Sequence, residues 1–160
     1  MLEKLSPNFN ARPQNAQIIS VIIHYTGMKT AQDALDRLCD PDAEVSAHYM
    51  IDEDGTTTLL VDPVNRAWHA GVSSWGDLKN FNDFSIGIEL VNPGHEHGYR
   101  DFPDVQIDAL VTLLHDLFRQ FPTIRPELVL GHEDIAPDRK QDPGELFPWH
   151  RLVKEKLAIR

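Results

Sequence analysis

The segment Ile18-Ile19-Ser20-Val21-Ile22-Ile23 is β-branched and almost wholly apolar. A strand with one face in water alternates polar and apolar residues, and this run does not. It therefore reads as a strand covered on both faces, a situation typical of sheets that carry helices on either side. The rest of the chain supplies the covering elements. Thr30 predicts an N-cap for a helix reaching about Leu38, with Ala31, Ala34, Leu35 and Leu38 on one face and Pro41 closing the segment. Asp54-Gly55, between Tyr49–Ile51 and Thr57–Val61, predicts a hairpin. Phe84 to Val91 is a further strand, with Glu89 set among Ile86, Ile88, Leu90 and Val91. Ile107, Leu110, Val111, Leu114, Leu117, Phe118 and Phe121 recur at helical spacing and predict a helix from Asp104 to Phe121. Leu128–Leu130 is a short strand leading into Gly131-His132, and a last helix starts near Trp149. The expected fold is α/β, a single domain with a mixed central β-sheet flanked by helices. Residues 1–16, interrupted by Pro7 and Pro13, read as an irregular N-terminal arm, and 17–160 as the folded domain.

At 160 residues the chain has the length of one domain and can bury a core without disulfides. Its 15 Lys and Arg against 25 Asp and Glu leave a formal charge of −10, which disfavours nucleic acid and anionic membranes as partners. No apolar run approaches the roughly 20 residues of a membrane span. The single Cys39 cannot form an internal disulfide and reads as a small buried hydrophobe in a helical pattern. Met1–Asn8 lacks the basic start and apolar core of a secretory signal, which leaves two expectations. The protein is cytoplasmic if Met1 is the native start, and belongs to the envelope if a leader has been removed. A monomer is the default expectation.

His24 and His132 each directly follow a short apolar strand. In α/β sheets the crevice at the carboxyl ends of the strands is where ligands bind. Asp142, ten residues beyond His132 in a loop held by Pro143 and Gly144, is a carboxylate able to return to the same point. Two imidazoles, one carboxylate and a vacant position suit a catalytic zinc ion. The competing reading is that strand-end histidines satisfy backbone groups or pack in a core.

Five ordered segments are more specific: Val21-Ile22-Ile23-His24-Tyr25-Thr26, Val45-Ser46-Ala47-His48-Tyr49, Ala67-Trp68-His69-Ala70-Gly71, Asn82 to Glu89, and Gly131 to Gly144. Together they resemble the type 2 N-acetylmuramoyl-L-alanine amidases, the AmpD/AmiD-like zinc enzymes of the peptidoglycan recognition protein superfamily. Ser6-Pro7-Asn8-Phe9-Asn10-Ala11-Arg12-Pro13 and Leu146-Phe147-Pro148-Trp149 look closer to the AmiD-like branch. The resemblance covers about residues 6–155. It implies one zinc ion held by His24, His132 and Asp142, with Glu89 beside the reacting water and Lys140 stabilising an oxyanion. It further implies that 17–160 is a catalytic domain and that peptidoglycan or an anhydromuropeptide is the substrate, cut between N-acetylmuramic acid and L-alanine.

The implied roles make chemical sense. Zinc lowers the pKa of water from 15.7 toward about 7, a carboxylate can accept the released proton, and a fixed cation stabilises a carbonyl that becomes an oxyanion. The alternatives are a surface charge for Glu89 and a solvated loop charge for Lys140. Phage-lysozyme-type relatives carry a tyrosine where this chain has Ala47, so Glu89 is expected to carry the proton transfers alone. His69 looks like a substrate-contacting histidine or else a buried structural one. Trp68, Arg66 and Asn82 are further substrate-binding candidates. His48 reads as core, His95 and His97 as an exposed pair without a third ligand, and His115 and His150 as surface or packing residues. Asp33, Asp36, Asp40, Asp42 and Glu44 read as a solvated acidic face. The main rival function is a non-catalytic peptidoglycan-binding module of the same fold. Deaminase and peptidase readings fail because neither Pro-Cys-x-x-Cys nor His-Glu-x-x-His occurs.

Overall fold

The computed structural model describes all 160 residues, Met1–Arg160. The strands are β1 (Leu2–Glu3), β2 (Phe9–Ala11), β3 (Ser20–Tyr25), β4 (Tyr49–Ile51), β5 (Thr57–Leu59), β6 (Asn65–Ala67), β7 (Ser74–Trp75), β8 (Leu78–Lys79), β9 (Ser85–Leu90) and β10 (Val129–Gly131). The helices are α1 (Ala31–Cys39), α2 (Gly94–His97), α3 (Asp104–Gln120), α4 (His132–Ile135) and α5 (Trp149–Lys154). Six strands form one mixed sheet in the order β1-β5-β4-β9-β3-β10. The strands β10, β3, β9 and β4 run parallel, and the hairpin about Gly55 turns β5 antiparallel to β4. The α/β class with a mixed central sheet is confirmed.

The central strand β3 starts two residues later than the apolar run suggested and takes in His24 and Tyr25. Ile19 is held by single backbone bonds instead, donating to the Phe84 carbonyl and accepting from the Arg125 amide. The register of β3 with β9 pairs Val21 with Ile86, Ile23 with Ile88, and His24 with Glu89. Side chains of registered parallel partners leave the sheet on the same side. One face therefore carries Val21, Ile23, Ile86, Ile88, Tyr49 and Ile51, packed under the Ile107, Leu110, Leu114 and Leu117 stripe of α3. Each such side chain contributes about 1.5–3 kcal/mol on burial, which makes this face the main support of the fold.

The other face carries the polar residues Ser20, His24, Ser85 and Glu89 along with Ile22 and Gly87. It is covered in two patches. Ile22 and Leu130 pack with Ala70, Phe81 and Ile135, while Met50 and Leu60 pack with Ala34 and Leu38 of α1. The α1 cap forms as expected, with Thr30 Oγ1 accepting from the Asp33 amide at 3.1 Å. Between the patches the polar residues are left facing one another.

Residues 1–16 depart from the irregular arm read from their prolines. Leu2–Glu3 adds an edge strand parallel to β5, and Phe9–Ala11 pairs antiparallel with β6. A few exposed residues carry no apolar period, so these pairings leave no trace in the pattern. Arg12 then enters the fold, donating from Nε to the Pro63 carbonyl at 3.1 Å, from Nη1 to Asn82 at 3.0 Å and from Nη2 to Ser85 at 2.9 Å. No helix is long and apolar enough to cross a membrane.

Candidate active site

His24 leaves the end of β3, His132 opens α4 directly after β10, and Asp142 returns on the loop that follows. That loop is tied to the start of α4 by the Glu133 amide, which donates to the Asp142 carbonyl at 2.8 Å. The three residues are 1%, 3% and 7% exposed. Their ligand atoms form a near-equilateral triangle, with His24 Nδ1 to His132 Nδ1 at 2.9 Å, His24 Nδ1 to Asp142 Oδ2 at 3.0 Å and His132 Nδ1 to Asp142 Oδ2 at 3.1 Å. Ligand atoms of a tetrahedral zinc stand about 3.3 Å apart.

Counting protons decides what such a triangle can hold. His132 Nε2 lies 3.1 Å from the Ala70 carbonyl, which can only accept, so the hydrogen sits on Nε2 and Nδ1 offers a lone pair. The same holds for His24 through a longer chain. Ser85 Oγ donates its one hydrogen to the Phe81 carbonyl at 2.5 Å and must accept from His69 Nε2 at 3.2 Å. His69 Nδ1 then accepts from His24 Nε2 at 3.1 Å, leaving His24 Nδ1 bare. Burial, with the neighbouring His132 adding to it, lowers the His24 pKa to about 4, so the His24 ring is neutral. With both rings neutral, three lone-pair atoms meet with no hydrogen among them, an arrangement that a divalent cation satisfies. His24, His132 and Asp142 are also the one group of side chains placed to hold a metal ion.

Beside the triangle lies a cavity of about 320 Å³ lined by Glu89, Lys140, Arg37 and Arg139 as well as the three donors. Glu89 Oε2 is buried and has no hydrogen-bond partner. Burial first, and the Asp142 carboxylate second, push its pKa well above the usual carboxylate range. Lys140 is exposed at the rim and forms no ion pair. Arg139 spends its guanidinium on the carbonyls of Ala70 and Val72.

Of the remaining candidates, Arg66, Trp68 and Asn82 stand apart from the cavity wall, and His69 lines it. Arg66 pairs with Asp83 at 2.6 Å, and Trp68 Nε1 donates to Asn10 Oδ1 at 2.9 Å. Asn82 is buried, its Oδ1 accepting from the His69 and Ala70 amides at 3.1 and 2.7 Å. His69 lies on the cavity floor, 6% exposed, with both ring nitrogens engaged. His48 is buried before β4, its Nδ1 accepting from the Gly87 amide at 2.9 Å.

Three features of the site escaped the sequence reading. Ser85 and Gly87 lie in an apolar strand, and Gly87 is the detectable one. A glycine inside a strand marks a close approach, and a Cβ there would collide with the His69 ring. His95, on the short helix α2, reaches the rim, where its Nδ1 meets Tyr25 Oη at 2.9 Å and its Nε2 meets Glu145 at 3.0 Å.

The parallel strands of the sheet gather two strand-end imidazoles, a carboxylate and a neighbouring half-buried glutamate into a centre of hydrolase type that could hold a metal ion. Comparison with known proteins narrows the class. Residues 14–145 match the Amidase_2 family, N-acetylmuramoyl-L-alanine amidase, and the chain belongs to that family. It is 35% identical to the 1,6-anhydro-N-acetylmuramyl-L-alanine amidase AmpD of Haemophilus influenzae, over 92% of this chain and 88% of that protein. It is 37% identical to the N-acetylmuramoyl-L-alanine amidase AmiD of Escherichia coli, over 97% of this chain but only 59% of that longer protein. Among solved structures it resembles the complex of AmiD from E. coli with anhydro-N-acetylmuramic acid-L-Ala-D-γ-Glu-L-Lys, with a TM-score of 0.82 and 36% identity over 92% of this chain and 62% of that one. A selenomethionyl AmpD superposes with a TM-score of 0.85 at 31% identity, covering 99% of this chain and 94% of that one.

Proposed function

We propose that this chain is a zinc-dependent N-acetylmuramoyl-L-alanine amidase that cleaves the amide between the lactyl carbonyl of N-acetylmuramic acid and the amine of L-alanine. Peptidoglycan fragments, anhydromuropeptides above all, are the substrates. The observation that carries this reading is the buried triangle of His24 Nδ1, His132 Nδ1 and Asp142 Oδ2. Zinc held there by the two imidazoles and the carboxylate supplies Lewis acidity and water with a pKa near 7.

This chain's own groups perform the rest. The buried, unpartnered Glu89 Oε2 takes the proton that water loses as its oxygen adds to the carbonyl carbon. The raised pKa lets the same oxygen hold that proton and pass it to the alanine nitrogen as the C–N bond breaks. Lys140 faces the cavity without an acidic partner and stabilises the oxyanion. Attraction of an anionic substrate to a chain of charge −10 must be local. Arg66, engaged by Asp83 off the cavity wall, is poorly placed to supply it, whereas Arg37 lines the cavity without an ion-pair partner.

The test is to incubate zinc-loaded and chelator-stripped protein with anhydromuropeptides and with intact sacculi, and to follow free stem peptide by mass spectrometry. Peptide release that requires zinc is expected from the soluble fragments. Binding of the fragments with stoichiometric zinc and no release would instead make the chain a peptidoglycan-binding module.

A further inference from the structure

Both imidazoles of the triangle are gripped from behind by consecutive residues of one loop. His24 Nε2 donates to the His69 ring at 3.1 Å, and His132 Nε2 donates to the Ala70 carbonyl at 3.1 Å. A single side-chain atom, Asn82 Oδ1, accepts from both amides of that loop, at 3.1 Å from His69 and 2.7 Å from Ala70. The segment that carries Asn82 is itself fixed from the N-terminal arm, through Arg12 to the carbonyls of Asn82 and Ser85 at 3.0 and 2.9 Å. His69 lies flat on the α-carbon of Gly87, where any side chain would displace it.

We infer that His69 is a positioning residue for the metal centre: an imidazole locked as an acceptor at Nδ1, which holds His24 with its lone pair aimed at the ion. The lock is the serine. Ser85 has one hydrogen, and the Phe81 carbonyl at 2.5 Å takes it. The serine oxygen is then left to accept from His69 Nε2, which places the His69 hydrogen on the side away from His24. Reversing any link of this chain would put a hydrogen on His24 Nδ1, inside the triangle, where it blocks a cation. The tautomer of a metal ligand is set by the partner of its other nitrogen. Here that partner is another histidine, whose own state is set two bonds further on by a backbone carbonyl. Ala70 performs the simpler version for His132 with its carbonyl alone.

The inference rests on the metal site proposed above, and its test separates the two. Zinc affinity is measured by competition with a chromophoric chelator on the full chain, without reference to turnover. His69→Asn keeps an acceptor at the Nδ1 position and is expected to bind zinc within about threefold of the parent. His69→Leu offers no acceptor and is expected to bind about 10–100-fold more weakly, the usual cost of losing such a partner. Equal affinity of the two variants overturns the inference, and a parent chain that binds no zinc overturns the site itself. Should His69→Leu fail to fold, the parent and Ser85→Ala decide by long-range 1H–15N spectra of the histidine rings. The parent is expected to carry the His69 hydrogen on Nε2 alone, and Ser85→Ala to show both tautomers with weaker zinc binding. A His69 hydrogen on Nδ1 in the parent, or an unchanged single tautomer in Ser85→Ala, overturns it.

Discussion

At the scale of single residues the centre separates charge from its usual partners. Glu89 is the clearest instance, because a buried carboxylate oxygen without a hydrogen bond is costly to the fold. Glu89→Gln preserves the shape and removes the titrating oxygen. We expect it to lower the rate of peptide release by about 10²–10⁴-fold while zinc content, measured by metal analysis, stays at that of the parent. Loss of zinc along with activity would make Glu89 a ligand instead of a proton carrier. Arg37 belongs to the same scale. It sits in the last turn of α1, exposed and free of ion pairs, on the wall of the cavity. Arg37→Glu should raise KM for an anionic muropeptide several-fold with kcat little changed, and the difference should shrink as salt is added. A KM that does not move would show that the carboxylates of the substrate lie elsewhere.

Elements position these residues by stacking loops on one another. The loop that carries Lys140 and Asp142 has no regular structure of its own between Ala136 and Trp149. It is strapped down by the segment after β9. Tyr99 Oη donates to the Pro143 carbonyl at 2.6 Å and accepts from the Leu146 amide at 3.1 Å. Gly144, at φ +82°, adopts a left-handed conformation, and a Cβ there would press on both Tyr99 and His95. Tyr99→Phe removes both hydrogen bonds and nothing else. We expect a loss of about 1–2 kcal/mol in urea unfolding and faster amide exchange at Leu146. An unchanged exchange rate would mean that the loop is held by packing alone.

The whole molecule answers to pH through its buried neutral histidines. His48 has a pKa lowered to about 3 by burial, with the nearby Arg12 guanidinium adding to it, whereas an unfolded histidine titrates near 6.5. Between those values the unfolded chain binds a proton that the folded chain does not, so stability rises with pH through that window. It is fully present above about pH 6.5 and is lost as pH falls toward 3. The slope is at most about 1.4 kcal/mol per pH unit for each such histidine. Urea midpoints of the metal-free protein should therefore fall from pH 6.5 to pH 4, and His48→Gln should flatten the curve. A midpoint independent of pH over that range would place a charged partner at His48.

How much of this was legible in the chain follows from where the information resides. The uninterrupted apolar run before His24, the Asp54-Gly55 turn and the helical spacing of α3 are local, since burial and backbone geometry act on consecutive residues. They determined the class of fold and most of its elements. Strand-end histidines followed by a loop carboxylate, within five ordered motifs, marked the three side chains that the fold brings together. The register that puts Glu89 on the same face as His24, the arm strands joined by backbone bonds, and the handing of hydrogens from His24 through His69 and Ser85 to Phe81 were decided by the tertiary structure. A hydrogen bond between residues 45 apart depends on how layers pack and which atom holds the only proton, and neither leaves a period or a composition for a reader of the sequence to find.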